Sequence, residues 1–182
     1  MVRALVPLVD GFEELEAIAV IDLLRRAGVS VITAGVAGRQ ATGSHAITVQ
    51  CDSTLDDELP RTFSAFVVPG GPGVAKLVEH EGLRDALKRQ AAAGGLIAAI
   101  CAAPLVLHAA GLLNGRRVAC HPSVEARLTG ATILHQAVVV DGRIVTSRGA
   151  GTAVPFALAV AGELVGRQAS DDVAKAIIYS NA

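Results

Sequence analysis

Four segments of this chain carry residue types that could do chemistry together. Cys101 ends the run Gly95-Leu-Ile-Ala-Ala-Ile-Cys101 and stands directly before Ala102-Ala103-Pro104. The apolar stretch Leu96 to Ile100 suits a fully buried parallel strand, and Pro104 suits a first helical turn, where its missing N–H costs nothing. A cysteine at such a strand-to-helix turn faces the positive end of the next helix, which favours thiolate over thiol. A core cysteine behaving as a small hydrophobe is the alternative.

The other three segments could supply what a cysteine nucleophile needs. Glu13, Glu14 and Glu16 fall in the first turns of a helix, where carboxylates complement the dipole. Glu16 differs because Phe12 and Ala19–Val20 flank it one turn away, so its carboxyl faces an apolar side and must be paired, neutral or functional. Beside a cysteine it would hold the proton that the thiolate gives up, forming an acid/base–nucleophile pair. Gly70 and Gly71, in Pro69-Gly70-Gly71-Pro72-Gly73, allow close approach of backbone N–H groups. With Ala102 N–H they could cradle an oxyanion, although a tight turn alone would also satisfy the pair. The last segment is Ser147-Arg148-Gly149-Ala150-Gly151. Among five histidines, His121 stands out by following a strand and preceding Pro122, whereas His45, His80, His108 and His135 read as solvated or packed. Zinc-ligand spacing is missing around Cys120 and His121, and there is no G-x-S-x-G.

The elements that must position these residues alternate. Strands are expected at Val2–Val9, Val29–Ala34, Ser64–Val68, 96–100 and near Arg117–Cys120. A hairpin is expected over 138–147 around Asp141-Gly142. Helices are expected over Glu13–Ala27 (stopped by Gly28), 74–79, 82–92, 104–110, 123–128, 152–165 and 171–179. Residues 36–50 read as a hairpin or two short edge strands. This order predicts an α/β fold: a three-layer α/β/α sandwich with a mainly parallel, flavodoxin-like sheet, in one domain over residues 1–182. Strand carboxyl ends share one edge of such a sheet, so the four segments can meet there.

Composition agrees. At 52% hydrophobic residues the chain is rich in apolar side chains, yet no run reaches a bilayer span, so a sheet covered on both faces accounts for them. A net charge of −1 and 3% aromatics leave no footprint for nucleic acid, and no membrane partner is indicated. Three cysteines without a CxxC pair, and an N-terminus without a signal peptide, predict a reduced cytoplasmic protein.

Together these motifs resemble the DJ-1/PfpI superfamily on the class I glutamine amidotransferase-like fold, nearest its parkinsonism-associated branch and bacterial relatives. The matching segments, in order, are Glu13-Glu14-Leu15-Glu16, Leu24-Arg25-Arg26-Ala27-Gly28, Val67-Val68-Pro69-Gly70-Gly71 and Gly95–Pro104. His121-Pro122 and Thr146–Thr152 complete the set. The resemblance implies a reactive Cys101, a protonated Glu16 bonded to it, and His121 nearby. It implies backbone contacts from Gly70, Gly71 and Ala102, with Arg148 on the substrate side. It also implies a homodimer whose interface brings Arg26 near the site. The implied activity is glutathione-independent conversion of methylglyoxal or glyoxal to a 2-hydroxy acid, without metal or cofactor. Glycated adducts are related substrates, and redox sensing or chaperone action through oxidation of Cys101 is the alternative.

Departures from the pattern refine this. Ala102 stands where protease-like branches carry histidine, so peptidase activity is not expected. Ala150 replaces a usual proline, and His45 falls near an arginine of the human-like pattern. The chain stops at Ala182, so the extra C-terminal helix of the human-like form is expected to be absent.

Overall fold

In a computed structural model describing residues 1–180, strands and helices alternate as their apolar patterns require. In chain order they are β1 (Arg3–Leu8), α1 (Glu14–Arg26), β2 (Ser30–Gly35), β3 (Gln40–Thr42), β4 (Thr48–Gln50), β5 (Ser53–Thr54) and α2 (Leu55–Glu58). Then come β6 (Ala65–Val68), α3 (Val74–Glu79), α4 (Glu81–Ala92), β7 (Leu96–Ile100), α5 (Pro104–Ala109), β8 (Arg117–Val118) and β9 (Thr132–Ile133). The chain closes with β10 (Val138–Asp141), β11 (Ile144–Ser147), α6 (Ala153–Val165) and α7 (Arg167–Ala176).

The main sheet runs β10-β11-β7-β6-β1-β2-β5, parallel except for β10 at one edge. Its five inner parallel strands, taken in chain order, lie as 2-1-3-4-5, the flavodoxin-like arrangement expected from sequence. Side chains alternate across it. Ala4, Val6 and Leu8 of β1 join Val67, Ala98 and Ile100 in a core against α1 and α6, with Phe12 and Phe156 fully buried. Leu5, Phe66, Val68, Ile97 and Ala99 face the other way, onto α3, α4 and α5. These are the two outer layers of the sandwich. Burying a side chain as large as Phe156 contributes about 2–3 kcal/mol, so each layer holds the sheet through many such contacts.

Three expectations shift. The helix expected at 123–128 is a 3-10 turn over Pro122–Arg127. The last helix begins at Arg167 rather than 171, because Gly166, at φ +92°, ends α6 and lets a new helix start at once. The short β5–α2 unit, capped by Thr54 accepting from Asp57 N, was hidden by its length. Among the described residues no helix is long and apolar enough to cross a membrane.

Candidate active site

Reversal of strand order beside β1 opens a crevice at the strand carboxyl ends, and the chemistry converges there. Cys101 follows β7 directly and adopts φ +65°, a left-handed conformation that a non-glycine residue rarely takes. The sharp turn lifts its side chain off the sheet edge. Its backbone is held on both sides: Cys101 N donates to Ser147 O at 3.0 Å, and Cys101 O accepts from His121 N at 2.8 Å. The second bond fixes where the histidine segment starts.

Glu16 approaches from α1 and is fully buried. One carboxylate oxygen, Oε2, accepts from Gly70 N at 2.8 Å, while Oε1 has no hydrogen-bond partner. The carboxyl lies within interacting range of the Cys101 thiol, without a well-aligned hydrogen bond joining them. Only glycine fits at position 70: a Cβ there would lie 2.6 Å from both the Cys101 Cβ and Glu16 Oε2. Helix α1 is itself anchored to this turn, since Glu13 N donates to Gly70 O at 2.9 Å and the Glu13 carboxylate caps Glu16 N at 2.8 Å.

Burial pushes the Glu16 carboxyl up to about 7, against the lowering effect of Gly70 N–H. The Cys101 thiol is pushed up to about 12, first by burial and then by the Glu16 carboxylate, while Gly71 and Ala102 N–H groups pull the other way. The raised Glu16 value accords with the expected proton on Glu16, whereas the raised thiol runs against the expected resting thiolate. The helix after Cys101 is only six residues long, and its dipole does not outweigh desolvation beside a second acid. Near neutral pH the sulfur therefore keeps its proton, and Glu16 is the group of the pair that ionises first as pH rises.

The other expected residues divide. His121 lines the Cys101 pocket, and its Nδ1 accepts from Ser123 N at 3.2 Å, with Ser123 Oγ at 2.8 Å. That leaves Nε2 as the protonated nitrogen of the neutral ring. Gly71 and Ala102 also line the pocket and direct N–H groups at the sulfur. Gly70 does not belong with them, because its N–H is committed to Glu16. Arg148 is not in the pocket lining, and its charge acts on the buried Cys120 thiol instead. Arg26 lies ten residues along α1 from Glu16, about 15 Å at helical rise, and pairs with Asp22 at 2.9 Å. Within one chain it does not reach Cys101. Gly149, by contrast, belongs to the site: a Cβ there would sit 3.7 Å from His121 Cδ2 and 3.9 Å from Glu16 Oε1.

The pocket has further lining residues, of which Ser44 and Ser123 were not singled out from sequence. The cavity, about 540 Å³, is also lined by Glu13, Ser44, His45, Pro72 and Ser123. Ser123 was signalled by its place two residues after His121, while Ser44 and His45 arrive from the distant β3–β4 hairpin. A groove of about 470 Å³ between α6 and α7 contains none of the site's nucleophiles or acids. Among the described residues, the His, Cys, Asp and Glu side chains that converge closely enough to hold a metal ion are Glu13, Glu14 and His45, beside Cys101 rather than including it.

The chain's similarities accord with this geometry. The sequence profile of the DJ-1/PfpI family matches residues 2–163. Protein dj-1beta of Drosophila melanogaster is 40% identical over 181 residues, covering 97% of each chain. Its crystal structure superposes with a TM-score of 0.96 over 99% of both chains, at 38% identity. Glutathione-independent glyoxalase DJR-1.2 of Caenorhabditis elegans is 38% identical over 168 residues, covering 91% of this chain and 90% of the other. The structure of oxidised DJ-1 from Toxoplasma gondii reaches a TM-score of 0.96 at 33% identity, over the full length of both. With a cysteine on a left-handed turn, a buried glutamate beside it and matches of this extent, the chain belongs to the DJ-1/PfpI family.

Proposed function

We propose that the protein is a cysteine-dependent, glutathione-independent glyoxalase that converts methylglyoxal or glyoxal to a 2-hydroxy acid. The observation that carries this reading is the buried Glu16 carboxyl against the Cys101 thiol, with one oxygen unpartnered. Glu16 takes the thiol proton, and the sulfur adds to the aldehyde carbon of the substrate. The N–H groups of Gly71 and Ala102 stabilise the oxyanion, which is protonated to a hemithioacetal. Glu16, its proton passed on, removes the hydrogen from that same carbon. The resulting enediol is reprotonated at the neighbouring carbon, leaving a thioester of the hydroxy acid. Water hydrolyses the thioester and returns the free thiol. The net change is addition of one water, with oxidation of one carbon balanced by reduction of its neighbour. His121, with Nε2 free, serves the proton movements at the two oxygens.

The experiment is lactate formation from methylglyoxal by purified protein without glutathione. Cys101→Ser and Glu16→Gln each abolish it, and full activity in either variant rejects the mechanism. The rate of the wild type rises with pH through about 7, as Glu16 ionises.

A second reading shares the same thiol. Cys101 is the least buried of the three cysteines, and a relative of matching fold is known in oxidised form. Mild peroxide should then add oxygen to Cys101 before Cys51 or Cys120, read by peptide mass, and equal oxidation of all three removes this reading. We also propose that two copies pair through the exposed face of α1. Leu15 and Ile18, one turn apart, are 64% and 44% exposed, and Ile47 of the adjoining hairpin is 55% exposed.

A further inference from the structure

The pocket that holds Cys101 has a second histidine in its wall. His45 lies in the turn of the β3–β4 hairpin and lines the pocket with Ser44 and Glu13. It is held there by a carboxylate that is almost completely buried. Glu14 accepts from His45 N at 2.6 Å through Oε1, and its Oε2 lies 3.0 Å from His45 Nδ1 and 3.3 Å from the Ser44 hydroxyl that donates to it. Gly43 makes this closure possible, because a Cβ at that position would overlap the Glu14 carboxyl. With Nδ1 engaged by Glu14, Nε2 is the ring nitrogen left for a ligand.

We propose that His45, held by Glu14, is a specificity-determining residue of the Cys101 pocket and favours electrophiles that carry a carboxylate. This role presupposes Cys101 as the reacting nucleophile. The charged and titratable groups around His45 come from three directions. Glu13 and Glu14 start α1, with Asp10 before them holding Thr42 N at the hairpin base. Cys101 shares the pocket, with Glu16 buried behind it, and His121 is the remaining histidine of the lining. Glu13 opposes an anion, but its carboxylate is engaged in capping Glu16 N, and Glu14 is satisfied by His45 and Ser44. The side-chain donors that remain on the walls are the rings of His45 and His121, because the Ser44 hydroxyl is engaged by Glu14 and the Ser123 hydroxyl by His121 Nδ1. Glu14 also raises the proton affinity of His45, so the ring is more readily cationic than an isolated imidazole.

Two alkylating reagents with the same leaving group test this without relying on turnover. Iodoacetate carries a carboxylate and iodoacetamide is neutral; each forms an S–C bond at Cys101 and releases iodide. The ratio of their rates, read by peptide mass at Cys101, cancels the thiolate fraction because one thiolate serves both reagents. At about pH 6 the iodoacetate-to-iodoacetamide ratio is expected to fall about twofold to fivefold from wild type to His45→Gln, the range of an exposed ion pair. The wild-type ratio should decline towards that of His45→Gln by about pH 9, whereas His45→Arg, which keeps its charge, should hold it. A histidine that merely pins the hairpin would change both rates alike. Equal ratios in wild type and His45→Gln at about pH 6, or His45→Arg tracking His45→Gln, overturn the proposal. If neither reagent modifies Cys101, the nucleophile reading itself fails, and the carboxylate preference falls with it.

Discussion

Glu14 and Glu16 stand two residues apart on the first turn of one helix, are both buried, and titrate in opposite directions. Glu16, with no exposure, is pushed up to about 7, while Glu14, at 6% exposure, is brought down to about 2. Desolvation raises both and is the largest single influence on each. The difference lies in the donors. Glu14 receives the backbone and ring of His45, the Ser44 hydroxyl and a bond from the backbone of Ile47. Glu16 has Gly70 N–H on one oxygen and nothing well aligned on the other. Burial alone therefore does not set the charge state; the number of donors that survive burial does. Each carboxyl also sits against a glycine, Gly43 or Gly70, where a side chain would displace it. One region uses that closeness to hold a charge, the other to keep a proton available.

The contrast is broken most strongly at the reacting pair. Glu16→Gln should lower glyoxalase turnover by at least about a hundredfold, as expected for loss of a general base, with Cys101→Ser as the matching loss of the nucleophile. The same Glu16→Gln change should stabilise the fold at high pH. A carboxyl whose folded value lies above its unfolded value binds more protons in the native state between about 4.5 and 7. Wild-type stability therefore falls as pH rises through that window, by ~3 kcal/mol in all. Urea melts of both proteins at about pH 5 and 8 measure it; an unchanged difference would mean that Glu16 is not held in its neutral form.

Glycine exchanges sharpen the comparison next. Gly70→Ala should suppress turnover by forcing Cys101 and Glu16 apart, whereas Gly43→Ala should leave that pair in place and destabilise the hairpin by about 1–3 kcal/mol, the usual cost of overpacking. Thermal melts and lactate assays on the two variants separate these outcomes. Glu14 gives the acid limb. Its folded value is depressed, so its contribution is present above about 4.5 and is lost as pH falls towards 2. Acid titration of Glu14→Gln should therefore show a shallower loss of stability in that window than wild type. The smallest effect is on assembly: Leu15→Glu with Ile18→Glu should shift sedimentation from dimer to monomer with little change in helix content.

Cys101, Glu16 and His121 were legible in the sequence for physical reasons. A five-residue apolar run after Gly-Gly suits a buried strand, Pro104 suits the first turn of a helix just beyond Cys101, and the apolar neighbours of Glu16 place its carboxyl on an inward face. The order of strands and helices likewise forced a layered α/β fold. The donor chemistry was not legible. Gly70 and Gly71 look alike in Pro-Gly-Gly, yet one N–H goes to Glu16 and the other faces the sulfur. Arg148 adjoins the site in sequence but acts on Cys120, and His45, thirty-one residues from Glu14, reads as a solvated loop residue until the hairpin closes over the helix start.

Local pattern was enough to say which residues go inside and which strand ends carry reactive groups, because burial and periodicity are properties of short segments. Where protons reside was settled by contacts between distant segments. The affinity of Cys101 and of Glu16 for the shared proton depends on how many N–H groups reach each of them across the crevice. Those bonds are made only when β6, β7, α1 and the β3–β4 hairpin are brought to a common edge.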